Sequence, residues 1–394
     1  MLKEYFADLH IHIGAADDGT PVKITASRQL NFASIARESL RQKGLDLIGI
    51  IDCASPVVIE DIERLLACGE MTELENGGLK YQDQLVILPG AEVESREENG
   101  GQAHYLSFFP YLDNLKEFSE IMDQYMTNVN LSTQVSGLNG KEILQIVDSC
   151  GGILIPAHVF TPHKSFYGNC FSTYKQVFTE EEWHRIPALE LGLSADTYLA
   201  DYLSQLNHMT FLSNSDAHSL PKIGREYNKL LMAEVNYREF VRALNSQQGR
   251  RITGNYGLDP RLGKYHRSYC PECEQGFEGD KARYRCPNCG NEELVVGVKD
   301  RIMKIADRDQ SDSPDLRPDY VHQIPLLDTP GIGPRTLEKL VNELGTEMDV
   351  LHRANREQLS GIVNETLVER ILRTRSGRAT IKSGGGGTYG KVMG

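Results

Sequence analysis

The sequence predicts a mixed α/β protein whose main domain, residues 1–254, is a β/α barrel of parallel strands, and three observations carry that reading. Short apolar runs alternate with amphipathic helical stretches, as where a helix over 31–43 is followed by a strand over 45–51, which is the grammar of repeated βα units. Residues suited to metal ligation close five of the runs instead of collecting at one switch point, and barrels gather their chemistry at the C-terminal ends of successive strands. No glycine-rich phosphate loop of the doubly wound kind occurs in the sequence.

Seven strands are predicted, over 5–11, 45–51, 85–92, 104–109, 152–156, 188–192 and 210–214, with helices over 112–125, 140–149, 197–207 and 237–244 among the connections. The first strand runs into Asp8-Leu9-His10-Ile11-His12, and a two-residue spacing puts both imidazoles on one side of a strand. Glu92 closes the run that starts Leu85-Val86-Ile87-Leu88. His158 follows Ile153-Leu154-Ile155-Pro156-Ala157, and Asp216-Ala217-His218 follows Phe211-Leu212-Ser213-Asn214. Beyond residue 254 come a cysteine-bearing module over 255–300, a polar connector over 301–319, a helical segment over 320–375 and a glycine-rich tail over 376–394 expected to be flexible.

With 40% hydrophobic and 25% charged residues among 394, the chain has the make-up of a soluble globular protein. No apolar stretch approaches the roughly 20 residues of a membrane span, and Met1-Leu2-Lys3-Glu4-Tyr5 enters a strand without a signal-peptide core. A cytoplasmic, nucleoid-associated monomer without membrane contact is expected. The net charge of −13 arises before residue 256, where 34 Asp+Glu face 21 Lys+Arg, while the remainder carries 21 of each. Bound divalent cations would offset part of the acidic excess, and six basic residues with no acidic one from Arg370 onward suit phosphate contacts.

Histidine, aspartate and glutamate together supply nitrogen and oxygen donors that zinc, manganese or iron accept, and a carboxylate such as Glu92 can bridge two ions. Any one of these histidines alone reads as a hydrogen-bonded core residue; Asp8-x-His10-x-His12 together with Asp216-x-His218 points to metal. At these residues the chain resembles the polymerase and histidinol phosphatase (PHP) superfamily, whose members open with D-x-H-x-H, carry a mid-domain Glu and His, and close with D-x-H. The resemblance implies a distorted seven-stranded β/α barrel that hydrolyses phosphoesters with two or three divalent ions (zinc, manganese, iron or magnesium). It also implies His10, His12, Glu92, His158, Asp216 and His218 as ligands and catalytic groups. The superfamily's second motif, T-D-H, reads Ile51-Asp52-Cys53 here: Asp52 or Cys53 takes the histidine's place as a ligand, or Cys53 is a buried bystander. Asp17, Asp18 and His104 stand near positions where other members place further ligands.

The appendages carry their own signals. Cys270-Pro271-Glu272-Cys273 and Cys286-Pro287-Asn288-Cys289 read as one structural four-thiolate zinc ribbon, because a redox pair does not come as two matched hooks outside a βαβ unit. Thr329-Pro330-Gly331-Ile332-Gly333-Pro334-Arg335-Thr336 resembles the turn of a helix-hairpin-helix, in which backbone N–H groups approach a DNA phosphate. Gly331, Gly333, Arg335 and Thr336 are its candidate contacts, against a helical pair packed for structure alone. Arg261, Lys264 and His266, at the junction of barrel and ribbon, are further DNA candidates. In the loop after His158, Phe166, Tyr167, Asn169 and Phe171 either form a pocket for an extruded base or pack on the barrel rim. Gln323-Ile324-Pro325-Leu326-Leu327 reads as a sliding-clamp-binding peptide or as core entering the hairpin.

The succession of PHP-type barrel, Gly257-Leu258-Asp259-Pro260-Arg261-Leu262-Gly263-Lys264-Tyr265-His266, four-cysteine ribbon and helix-hairpin-helix resembles the endonuclease Q family. The loops Ala157-His158-Val159-Phe160-Thr161-Pro162-His163-Lys164 and Leu191-Gly192-Leu193-Ser194-Ala195-Asp196-Thr197 extend the resemblance over nearly all of the chain before the tail. It implies nicking of DNA on the 5′ side of deaminated bases (uracil, hypoxanthine, xanthine) and abasic sites, leaving a 3′-hydroxyl and a 5′-phosphate. The residue patterns alone reach a metal-dependent phosphoesterase with DNA-binding appendages. A small-molecule phosphomonoesterase and a non-catalytic scaffold that binds lesion DNA are the alternatives.

Overall fold

The computed structural model describes residues 1–277, 283–378, 380–384 and 388–393. Parts of the predicted ribbon (278–282) and tail (379, 385–387 and 394) lie outside the described residues. In chain order the main-domain strands are β1 Lys3–Ile11, β2 Leu47–Ile50, β3 Met71–Glu73, β4 Leu79–Tyr81, β5 Leu85–Glu94, β6 His104–Phe108, β7 Ile153–Pro156, β8 Ala188–Glu190, β9 Thr210–Leu212, β10 Tyr227–Met232 and β11 Arg251–Gly257. All seven anticipated strands are among them. One apolar cluster takes Ala7, Leu47, Val86, Leu106, Ile155, Ala188 and Leu212, one residue from each of those seven, together with Leu230 of β10 and Ile252 of β11. Side chains from so many strands can share one cluster only if the sheet curls around them. The alternate residues Phe6, Ile48 and Ile87 face a second, larger cluster beneath the helices.

The strands are not all parallel, which corrects the predicted parallel barrel. β1, β2 and β5 run parallel, as do β8 and β9, but β10 lies antiparallel to β1, β6 to β5 and β7 to β6. Between β5 and β6 there are too few residues for a crossover, which needs a dozen or more, so the chain must return antiparallel. That return matters for the site. Register pairs Glu94 with His104 and Glu92 with Leu106, bringing the start of β6 to the rim where β5 ends.

Asn31, Asn139 and Asn236 cap the helices Phe32–Glu38, Gly140–Ser149 and Tyr237–Leu244, each accepting a first-turn backbone N–H, donors that would otherwise lack partners. The predicted helix over 197–207 breaks after Thr197–Ala200, with a further turn at Ser204–Leu206. No helix among the described residues is long and apolar enough to cross a membrane.

The appendages dock closely. Tyr320–His322 extends the main sheet, pairing parallel with β11. Gln323, Ile324 and Leu326 are buried, so the segment over 323–327 is core and not an accessible clamp-binding peptide. Helices Pro334–Leu344 and Glu365–Arg375 follow. The Gly331 turn packs against Leu367, where a Cβ would come within 2.7 Å, and adopts φ +89°, a conformation that favours glycine. Ile381–Lys382 and Lys391–Val392 pair as two antiparallel strands in the region where the sequence suggested only a flexible tail.

Candidate metal centre

The barrel rim carries the site. β1 carries His10 and is followed directly by His12, β5 delivers Glu92, β6 opens with His104, the turn after β7 holds His158, and the loop after β9 holds Asp216 and His218. Their donor atoms form three overlapping triads, each within 4.8 Å: His10, His12 and Glu92; His12, Asp216 and His218; Glu92, His104 and His158. Glu92 Oε1 lies 3.6 Å from both His10 Nε2 and His158 Nε2, and Asp216 Oδ1 lies 3.5 and 3.4 Å from His10 and His12 Nε2. His104 Nδ1 is 2.9 Å from Glu92 Oε1 yet makes no aligned hydrogen bond with it. Two groups that crowd without bonding fit a common ion between them. His158 and Asp216 adopt φ +32° and +46°, strained conformations of the kind that collect at functional sites.

The surrounding groups set orientation and charge. Glu190, at the end of β8, holds His10 Nδ1 at 2.8 Å and also accepts from Asn214; a carboxylate behind a ligating imidazole fixes its tautomer and ring direction. Burial works to lower the His10 pKa, but Glu190, Asp216 and Glu92 outweigh it and hold it up at about 10. Burial likewise opposes ionisation of Glu92 and Asp216, and is overcome by His104 and Lys23 at the first and by His10 and His12 at the second, so both stay well below the usual carboxylate range. Lys23 Nζ sits 3.1 Å from Glu92 Oε2, and Lys164 Nζ sits 2.6 Å from Glu94. Asp8 accepts from the Ser215 and Gly224 backbones at 3.0 and 2.8 Å, anchoring the loop that presents Asp216.

Several predicted ligands lie elsewhere. Asp52 stands behind His12, 3.0 Å from Nδ1, and so orients that imidazole without facing the triads. Cys53 is buried, its thiol directed to the Ile50 carbonyl at 3.2 Å and its pKa pushed up by burial. Asp18 is exposed and bonds to Thr20, while Asp17 pairs with Arg64 at 3.4 Å. Glu190 and Lys23 were missed in the sequence. Glu190 lies within the strand predicted over 188–192 and ends the observed β8, whereas Lys23 lies in a long loop without pattern.

Two cavities flank the rim and share His158, Asp216 and His218. One, of about 500 Å³, also takes in Glu190, Lys222, Arg225, Lys264, Tyr265 and Tyr389; the other, of about 410 Å³, takes in Lys23, Thr133 and Lys164. Thr161, His163 and Lys164 of the loop after His158 reach them, but its aromatic residues Phe166, Tyr167 and Phe171 do not. Phe166 and Tyr167 are fully buried and Phe171 nearly so, packed in a ring cluster with Phe160, Phe178 and Trp183, which realises the packing alternative. Asn169 donates to the Gln102 carbonyl. His266 is buried as well, with its pKa lowered to about 4 by burial, Lys299 and Arg267, so it presents no cation to a phosphate. Arg261 is half-exposed and paired with Asp259 at 2.7 Å.

In the ribbon, Cys270 and Cys289 Sγ are 3.7 Å apart, and Cys273 and Cys286 Sγ 3.8 Å. A tetrahedron with Zn–S of about 2.3 Å has edges of ~3.8 Å, so the four sulfurs fit one zinc. At the turn, Gly333 has open space around its Cα and Arg335 is exposed, while Thr336 is partly covered.

Glu190→Gln keeps the shape of the side chain but removes its charge. It should weaken metal binding by roughly 10- to 100-fold, read by competition with a chromogenic chelator; unchanged affinity would remove its orienting role.

No protein-family model matches the chain. It is 45% identical over 394 residues to the uncharacterized protein YqxK of Bacillus subtilis (strain 168), covering 99% of this chain and all of that one. The crystal structure of the lesion-specific endonuclease PfuEndoQ from Pyrococcus furiosus is 30% identical, with a TM-score of 0.84 over 99% of this chain and 95% of that one. An endonuclease Q complex with a 27-mer duplex carrying an abasic lesion at the active site superposes with a TM-score of 0.82 and 30% identity, over 99% and 96% of the two chains. Matched in fold over 99% of its length at 30% identity, this chain belongs to the endonuclease Q family.

Proposed function

We propose that this protein is a metal-dependent DNA repair endonuclease that hydrolyses the phosphodiester on the 5′ side of an abasic site or a deaminated base (uracil, hypoxanthine or xanthine), leaving a 3′-hydroxyl and a 5′-phosphate. One observation carries the reading: three overlapping donor triads border two cavities of about 410 and 500 Å³, in a chain that aligns throughout with an endonuclease Q bound to an abasic duplex.

Two or three divalent ions in these triads would acidify a water and neutralise charge building on the phosphoryl oxygens. His10, His12, Glu92, His104, His158, Asp216 and His218 supply the donors, and Glu190 and Asp52 hold two of the imidazoles in direction. Lys23 and Lys164 on one side, and Lys222 and Arg225 on the other, give the strand fixed positive charge along both cavities. A deaminated or missing base pairs poorly, so extruding that nucleotide costs less than extruding a normal one. The Gly331–Thr336 turn and Lys264 would hold duplex phosphates independently of sequence.

Duplexes with a single abasic site, uracil, hypoxanthine or no damage, incubated with and without a chelator, test the proposal. Nicking of only the damaged strands, abolished by chelator, is expected. Equal cutting of damaged and undamaged DNA would reject lesion recognition. Turnover of a generic phosphomonoester without nicking would reassign the site to a small-molecule phosphatase, and lesion binding without cleavage under any metal would reassign the protein to a scaffold.

A further inference from the structure

The C-terminal segment looks dispensable in sequence: glycine-rich, basic, with the isolated apolar residues Ile381, Tyr389 and Val392. Its fold says otherwise. Ile381 pairs with Val392 and Lys382 with Lys391, and the two apolar residues pack on Leu258, Leu262 and Ile324. Backbone bonds fasten the segment to the loop before the ribbon: the Gly384 N–H donates to the Arg261 carbonyl at 2.7 Å and the Gly390 N–H to the Leu262 carbonyl at 2.8 Å. A Cβ at Gly390 would come within 2.6 Å of the Lys382 oxygen and 2.9 Å of Leu262 Cα. Only glycine lets the segment lie this close.

What the fastening positions is Tyr389. This residue stays 45% exposed and forms part of the wall of the 500 Å³ cavity that also contains His158, Asp216 and His218. The Lys264 ammonium lies 4.9 Å from the centre of the Tyr265 ring and 5.8 Å from that of Tyr389. An adjoining cavity of about 460 Å³ takes in Tyr389 with Lys222, Arg225 and Lys391. A half-exposed aromatic face, held by backbone bonds beside cations and metal donors, is the arrangement that stacks on an unpaired nucleobase while the cations take the flanking phosphates. The loop the sequence favoured for this task, around Phe166 and Tyr167, is committed to the core.

We propose that Tyr389, held over the cavity by the C-terminal segment, stacks on the extruded base of the lesion nucleotide and thereby sets the preference for base-bearing lesions over abasic ones. This rests on the nuclease reading above. An abasic site offers no base to stack on, so the two lesion classes must respond differently to loss of the ring.

The test uses the full chain with Tyr389→Ala, Tyr389→Trp and Gly390→Val. Single-turnover nicking of hypoxanthine and abasic duplexes is measured with metal, and equilibrium binding of the same duplexes is measured in chelator. Y389A should lower the hypoxanthine-to-abasic ratio about tenfold in both readouts. Y389W should restore it, and G390V, which displaces the segment, should mimic Y389A. A ratio within twofold of wild type for Y389A in both readouts would overturn the proposal. If the wild-type protein nicks neither duplex, the nuclease reading fails, and the binding ratio in chelator still decides the role of Tyr389.

Discussion

Glu92→Ala should strip metal from the barrel and lower nicking of an abasic duplex by more than about a thousandfold. Glu92 is the carboxylate shared by two of the three triads. One oxygen lies within 3.6 Å of three imidazoles, while the other accepts from Thr133 at 2.7 Å and pairs with Lys23 at 3.1 Å. It meets four imidazoles within 4 Å where Asp216 meets three, so its loss should disturb two ion positions together. Alanine also leaves the Lys23 ammonium, only 13% exposed, without its nearest anion, which mixes a folding effect into the result. Glu92→Gln separates the two: it keeps the volume and one acceptor oxygen but cannot bridge ions as an anion. Metal content by plasma mass spectrometry, read alongside nicking and thermal unfolding, checks this. Wild-type metal stoichiometry in both variants would show that the rim is not the metal centre.

The rim was legible in the sequence where ligand spacing and strand period coincide. His10 and His12 share a face because side chains alternate along a strand, and Glu92, His158 and Asp216 are each announced by the apolar run before them. His104 was harder to place. It reaches the site through antiparallel register with β5, and the alternation of apolar runs does not disclose strand direction. Lys23 lies in the long stretch between β1 and the helix Phe32–Glu38, where no period exists to read, and only tertiary folding brings it to Glu92. The aromatic loop stayed open between two readings for a related reason. Its composition suits a base pocket and a core equally, and the choice was made by Trp183, Tyr174 and Phe178, which stack around it from a later segment. Strands β10 and β11 were overlooked, and with them the antiparallel edge on which the C-terminal elements dock.

That docking leads to the second large effect. Lys43, at the end of the turn Ser39–Lys43, and Glu347, in the C-terminal helical segment, form an ion pair of 2.7 Å with side-chain exposures of 3% and 8%. Lys43 also donates to the Pro221 carbonyl at 3.1 Å, on the stretch that follows Asp216 and His218. The pair therefore ties the proposed DNA-binding helices to the loop that carries two metal donors. Nearby, His352 stacks on Phe6 with ring centres 4.4 Å apart and meets the Tyr227 hydroxyl at 2.7 Å. Glu347→Ala would remove the paired carboxylate and leave the buried ammonium with the Pro221 carbonyl and the more distant Glu38 charge, and breaking a buried pair from one side costs about 3–5 kcal/mol. Replacing both partners by methionine should cost less than either single change, because no unpaired charge is left inside. Urea unfolding of the two singles and the double variant measures this. A double variant as unstable as the sum of the singles would mean that the two charges do not compensate each other. Because the pair fixes the helical segment relative to the rim, Glu347→Ala should also weaken duplex binding under conditions where it remains folded, while leaving zinc in the ribbon untouched; full duplex affinity would show that the helices do not need the barrel to hold DNA.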